Sequence, residues 1–251
     1  MFSAVRLAKE GASHYHAGMK PSPDKTLSRA AASGIARLAV GIGLIGWALF
    51  WTAGTLDWPE AWWFLGIFTL EALLACIWLW RANPEIFLAR RRFGKGTQPW
   101  DYLFFALIVL SFSAVLHVAG FDERLGWAPL PVWVAVLGHV ALALGFAIIT
   151  WAQAVNRHFE PSVRIQSERG HSVIDTGPYA IVRHPGYVGG TLVVAGMALA
   201  LGSLWALLPA VVLTLTLVAR TLFEERTLRE GLPGYADYTR RVRFRWVPGV
   251  W

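Results

Sequence analysis

Gly186–Ala219 reads GYVGGTLVVAGMALALGSLWALLPAVVLTLTLVA, 34 residues without a single charge. As one α-helix it would extend about 51 Å, against a bilayer hydrocarbon core of about 30 Å. The stretch therefore has to fold back on itself. Gly202-Ser203 is the expected reversal point, because glycine tolerates turn dihedrals and serine bonds locally to the backbone. Two short helices forming a C-terminal hairpin are the consequence.

Towards the N-terminus, further apolar stretches fall at about 35–54, 61–80, 102–120 and 129–151. Each is near the roughly 20 residues that one crossing requires. The expected fold class is all-α, a polytopic membrane protein of about six membrane segments with N and C termini cytoplasmic. Apolar residues make up 55% of the 251, charged residues 16%, and the apolar blocks are too continuous for the amphipathic helices of a soluble bundle. One membrane domain over 35–251, preceded by a mobile tail over 1–34, is the expected organisation. The tail lacks the apolar core of a signal peptide, and Met19 is a second candidate start.

Charge placement sets the expected orientation. All but Arg124 of the 23 Lys and Arg residues lie before or in the first turn of span one, in 81–101, in 152–185, or from Arg220 onward. Those regions are expected to face the cytoplasm, and the short loops at Asp57–Glu60 and Asp122–Arg124 the other side. The net charge of +7 is then a matter of topology and of attraction to anionic membrane lipid, which argues against nucleic acid as a partner. Trp51, Trp58, Trp62, Trp63 and Trp127 are placed as an outer aromatic belt, and Trp78, Trp80, Trp100 and Trp151 as an inner one. Cys76 is the only cysteine, so no intramolecular disulfide is possible. Gly41, Gly43 and Gly46 read as helix-packing positions on span one. Glu71 sits in mid-membrane and needs a partner, for which His117 and His139 are the candidates.

The chemistry-bearing residues flank the folded-back block. Before it stands Gly177-Pro-Tyr-Ala-Ile-Val-Arg-His-Pro-Gly-Tyr-Val-Gly-Gly190, whose prolines and glycines prevent regular helix until about Tyr187 and leave backbone groups for a ligand. A polar connector, Glu160–Thr176, leads into it and exceeds ordinary helix connections in length. After the block comes Arg220-Thr-Leu-Phe-Glu-Glu-Arg226. Arg220 and Glu224, four apart, also fit a plain helix-surface ion pair, and Glu225 with Arg229 fits that reading better. His158, by its position, is expected in solvated surroundings.

The two clusters in this order resemble the isoprenylcysteine carboxyl methyltransferase and phospholipid methyltransferase superfamily, integral membrane enzymes that use S-adenosyl-L-methionine. The resemblance covers roughly Asn83 to Trp251 and takes in Asn83-Pro-Glu85, Pro99-Trp-Asp101 and the two spaced tyrosines Tyr235 and Tyr238 ahead of a basic, proline-containing tail. It implies a cofactor site formed by Gln166; by His171, Ser172, Val173 and Ile174; by Tyr179; by His184, Pro185, Gly186 and Tyr187; and by Glu224. Arg220 matches the arginine that relatives direct at the substrate. No catalytic side chain is assigned with certainty, and no metal is implied.

What the resemblance implies is methyl transfer to a lipid-like or lipid-anchored acceptor arriving from the bilayer. A carboxylate such as that of an isoprenylcysteine-like substrate leads, with phospholipid amines and small thiols as alternatives. The inner membrane, with the site on the cytoplasmic face, is the expected location, and no obligate protein partner is evident. The rival is an NADPH-dependent membrane sterol or enone reductase, which shares an Arg-His-Pro-x-Tyr ending. Here Gly186 replaces the asparagine that such reductases carry after Arg-His-Pro, and no cysteine follows downstream.

Overall fold

The computed structural model describes residues 23–89, 96–127 and 130–251. These form α1 (Pro23–Ala53), α2 (Pro59–Ala82), the short α3 (Ile86–Ala89), α4 (Asp101–Leu125), α5 (Val132–Val155), α6 (Pro185–Ala200), α7 (Leu207–Gly231) and α8 (Tyr235–Arg241). No strand occurs among the described residues. Five helices, α1 from Ala32 together with α2, α4, α5 and α7, are long and apolar enough to cross a membrane. α6 is apolar as well but shorter, at 16 residues.

The expected reversal occurs between α6 and α7. Gly202 adopts a positive φ of 73°, and the Ser203 hydroxyl accepts from the Ala206 amide at 3.1 Å while donating to Asp122 at 2.5 Å. Ser203 and Ala206 are buried, so the polar groups of the turn are satisfied inside the protein rather than offered to lipid. The hairpin differs from expectation in proportion. α7 is a full-length 25-residue helix that runs past Ala219 to Gly231, because Thr-Leu-Phe-Glu-Glu-Arg-Thr-Leu-Arg-Glu contains mostly strong helix formers. α6 opens at Pro185, ahead of Tyr187, since proline suits the first helical turn, where its missing N–H costs nothing.

The closest helix pair is α5 against α6, and glycines make it possible. A Cβ on Gly138 would lie 2.2 Å from the Ala200 nitrogen, and one on Gly196 would lie 2.6 Å from the Leu142 nitrogen. Gly145 and Gly189 face each other in the same way further along. Both helices thus carry glycine at a seven-residue interval, and the two backbones touch. The expected packing glycines are not these. Gly41 and Gly43 meet nothing within 4 Å, and Gly46 meets only the Leu65 side chain; α1 is instead held at Gly120 of α4, where a Cβ would come within 2.9 Å of the Leu49 carbonyl.

Other expectations need correction. Trp58 is 1% exposed and belongs to the central cluster with Phe64, Leu49 and Met197, because the loop before α2 folds inward. Of the remaining belt tryptophans, Trp100 packs on Phe104 and Phe223, and the others present large exposed faces. His117 bonds the Ser113 carbonyl of its own helix at 2.7 Å, and both Glu71 Oε2 and His139 Nδ1 are buried without a hydrogen-bond partner, so neither pairing proposed for Glu71 forms. α1 starts at Pro23, within the segment expected to be a tail, where Ala30-Ala31-Ala32 favours helix. Residues 1–22, with Met19, lie outside the described residues.

Candidate functional site

The connector between α5 and α6, together with the cytoplasm-expected ends of α7 and α8, encloses a cavity of about 220 Å³. Its shape begins with Asn83. That side chain donates to the Gln153 and Asn156 carbonyls, at 2.7 and 3.4 Å, and so ties the end of α2 to the end of α5. Asn156 in turn donates to the Tyr179 hydroxyl at 3.1 Å and accepts from the His158 amide at 2.8 Å, which fixes where the connector departs. Gly177, at φ 57°, passes so close to Trp151 that a Cβ would sit 3.1 Å from its indole nitrogen. Gly186 leaves room for the Phe159 ring, 2.9 Å from a hypothetical Cβ.

The Arg-His-Pro element is held from behind by the C-terminal tail. The Arg183 and His184 amides donate to the Phe244 and Arg245 carbonyls, at 3.0 and 2.9 Å. The Arg183 guanidinium donates to Glu225 at 2.5 Å and to the Val242 and Arg243 carbonyls. Glu225 also meets His184 Nε2 at 3.3 Å and Arg245 at 3.0 Å. It is 3% exposed. The helix-surface pairing with Arg229 is its weakest contact, at 3.9 Å, so Glu225 is a buried hub that joins α7, the motif and the tail. Trp246 enters the core and donates to Thr221 at 3.0 Å, which makes the tail structural cover rather than only an interfacial anchor.

Glu224, one residue earlier, faces the cavity. It accepts from the Tyr187 hydroxyl and lies 3.8 Å from His184 Nδ1, whose ring stacks on Tyr187 at 5.5 Å. The surface ion pair of Arg220 with Glu224 does not form. Arg220 turns to Asp101 instead, 119 positions away, with Nε to Oδ1 at 2.7 Å and Nη2 to Oδ2 at 3.1 Å. It also donates to the Tyr187 hydroxyl at 2.8 Å and to the Pro161 carbonyl at 2.7 Å.

The opposite wall is the connector. Gln166 donates to the His158 carbonyl at 2.7 Å and accepts from Arg169 at 2.9 Å, so its amide is occupied in bracing the wall. His158 is buried, not solvated as expected, with its ring 4.6 Å from that of His171. Burial, and then the proximity of His158, lowers His171 from an ordinary 6.5 to about 4. Burial lowers His158 as well. Both rings are therefore neutral near pH 7. Ser172, Val173 and Ile174 continue this wall, and Tyr179, Tyr235 and Tyr238 close it, with the Tyr238 hydroxyl donating to the Tyr179 carbonyl at 2.8 Å.

Of the residues singled out in the sequence, Gln166, His171, Ser172, Val173, Ile174, Tyr179, His184, Gly186, Tyr187, Arg220 and Glu224 all line this one cavity. Pro185 does not; it opens α6 behind the wall. Nothing in the sequence marks Asp101, within Pro99-Trp-Asp101, as the partner of Arg220, or His158 and Glu225 as part of the site. No group of His, Cys, Asp or Glu among the described residues has the arrangement of a metal site.

Fold and site define a polytopic helical membrane protein with a polar cavity built where two motif-bearing helix ends meet a long connector. Residues 133–233, the segment from α5 to just past α7, match the model of the phospholipid methyltransferase family. The match suggests a membrane methyltransferase, and enzymes of that family generally use S-adenosylmethionine. No curated protein matches the chain.

Proposed function

We propose that the cavity binds S-adenosylmethionine and that the protein transfers its methyl group to an acceptor entering from the bilayer, with an oxygen nucleophile such as a carboxylate as the leading acceptor class. The observation that carries this is Glu224, a carboxylate at the cavity whose hydrogen-bond partner is the neutral Tyr187 hydroxyl. The other acidic groups around the site are taken: Asp101 by Arg220, Glu225 by Arg183 and Glu160 by Arg164. The donor set suits the cofactor, which carries a sulfonium, an ammonium and a carboxylate beside an adenine. Glu224 meets positive charge, His184 and the amides near the start of α6 meet negative charge, and Val173, Ile174 and Tyr179 offer flat apolar surface.

The bound cofactor supplies an electrophilic methyl group. The chain's own contribution is alignment and exclusion of water, effects that together reach about 7 to 11 kcal/mol in well-oriented reactions. His158 and His171, being neutral, add no positive charge of their own to a cavity that would receive a sulfonium. The wall of tyrosines keeps the site dry, which favours a reaction in which an anionic nucleophile and the sulfonium lose their charges together. A phospholipid amine is the second reading, favoured by the occupation of Arg220 by Asp101, which leaves Glu224 as the unbalanced charge at the cavity.

Titration of the purified protein with S-adenosylmethionine and with NADPH tests the cofactor, and methyl-label transfer into prenylcysteines, aminophospholipids, fatty acids and thiols tests the acceptor. Binding of NADPH alone would move the protein to the reductase reading. Label in aminophospholipid but in no carboxylate would select the second acceptor class.

A further inference from the structure

Arg220 does more than line the cavity. A guanidinium has five N–H donors in a fixed fork. Asp101 takes two, the Tyr187 hydroxyl one and the Pro161 carbonyl one, which leaves a single N–H on Nη1, the nitrogen that also meets Tyr187. The arrangement has a counterpart in the connector. Asp101 Oδ2 accepts from the Val163 amide at 2.7 Å, so residues 161 and 163 are both fastened to the same ion pair. Between them Ser162, 94% buried and part of the cavity wall, has a hydroxyl with no hydrogen-bond partner. One ion pair therefore holds in place an unspent cationic N–H and an unspent hydroxyl, a donor set for an oxygen-bearing head group.

Asp101 is 1% exposed and its pair with Arg220 is shielded from water, so the two charges largely cancel at short range. That cancellation matters for methyl transfer. An uncompensated guanidinium would bind an anionic nucleophile tightly and lower its reactivity, because it stabilises the ground state in which the charge is present more than the transition state in which it disappears.

We propose that Asp101 is a positioning residue acting through Arg220: it locks the guanidinium and the Ser162 hydroxyl onto the acceptor end of the cavity and offsets the arginine's charge, so that an oxygen nucleophile is aimed without being quenched. This rests on the methyltransferase reading with an oxygen acceptor. Its signature is a split between the acceptor's kinetic constants. Asp101→Asn keeps the shape and removes the charge, so kcat falls at least about tenfold while the acceptor KM stays level or drops, the pattern of lost transition-state preference rather than lost binding. Ser162→Ala, in contrast, raises the acceptor KM about tenfold with kcat nearly unchanged. S-adenosylmethionine affinity stays within about twofold of wild type in both.

The experiment is methyl-label kinetics on the full-length wild type, Asp101→Asn, Asp101→Glu and Ser162→Ala, with fatty acid and prenylcysteine as acceptors and cofactor affinity measured by titration in parallel. Partial recovery of kcat in Asp101→Glu supports the charge-offset role, since glutamate restores the charge in a less suitable position. Equal loss of cofactor affinity and kcat in Asp101→Asn, or a raised acceptor KM with kcat intact, overturns it and leaves Asp101 as a fold-holding residue. If Asp101→Asn is too unstable to assay, the Ser162→Ala result decides alone: kinetics equal to wild type overturn the subsite. A wild-type protein that binds the cofactor yet methylates neither oxygen acceptor overturns the oxygen-acceptor reading and this inference together, whereas failure confined to the variants leaves that reading standing.

Discussion

Glu224 and Glu225 are neighbours in sequence with opposite surroundings, and their substitutions should separate binding from stability. Glu225 meets Arg183, His184 and Arg245 in a site of 3% exposure, so Glu225→Ala strands buried cations and should cost about 3 to 5 kcal/mol, seen as a large drop in the detergent melting temperature. Glu224→Gln keeps its shape and its contact with Tyr187, so it should melt near wild type yet bind S-adenosylmethionine at least tenfold more weakly in titration. Comparable melting losses in both variants would remove the distinction. His171 carries a pH prediction. Its imidazole is held at about 4 against an ordinary 6.5, so from pH 6.5 down to 4 the unfolded chain binds a proton that the folded protein resists. Stability from this group is complete above that window and is lost as pH falls through it. His171→Gln should therefore show a shallower fall in melting temperature between pH 6.5 and 4.5 than wild type. Residue roles were legible where one motif carried them, as for Glu224, His184 and Tyr187. They were hidden where a partner is set by folding: nothing local marks Asp101 as the ligand of an arginine 119 positions away, and position alone could not show that His158 would be buried by the wall opposite it.

At the level of helices, hydropathy located the spans because each had to reach across the same apolar thickness, and the uncharged length of Gly186–Ala219 required a reversal that Gly202-Ser203 supplies. Composition could not tell which glycines pack. Gly41 and Gly43 are as small as Gly138 and Gly196, but the former face open space and the latter another backbone. Gly138→Val should therefore force α5 and α6 apart, at a cost of at least about 1 to 3 kcal/mol by analogy with overpacked cores. Because this pair carries the connector on one end, cofactor affinity should fall with stability. Gly41→Ala should melt at or slightly above wild type, since nothing opposes the added methyl and alanine is the better helix former. A Gly138→Val protein with unchanged melting would mean that the seam can spread without loss.

For the whole molecule, the remaining question is which way it sits. Six crossings, by the five long helices and α6, would return the chain to the side on which it began, and the two ends would then share a compartment. The cavity would share it as well, because the α5–α6 connector and the end of α7 form its walls. Lys and Arg crowd this end of the bundle, and the positive-inside rule predicts that it faces the cytoplasm. Arg124, the exception, packs with its Nε 3.7 Å from the Cβ position of Gly54, at the opposite end. Orientation can be read with single cysteines in a Cys76→Ser background. An impermeant maleimide applied to intact cells should label a cysteine placed at Leu56, which is exposed in the α1–α2 loop, and should reach one at Glu168 only after the membrane is opened. The reverse pattern would put the cavity outside the cell's cofactor supply and would defeat the proposed activity even if the bundle and its site were as described.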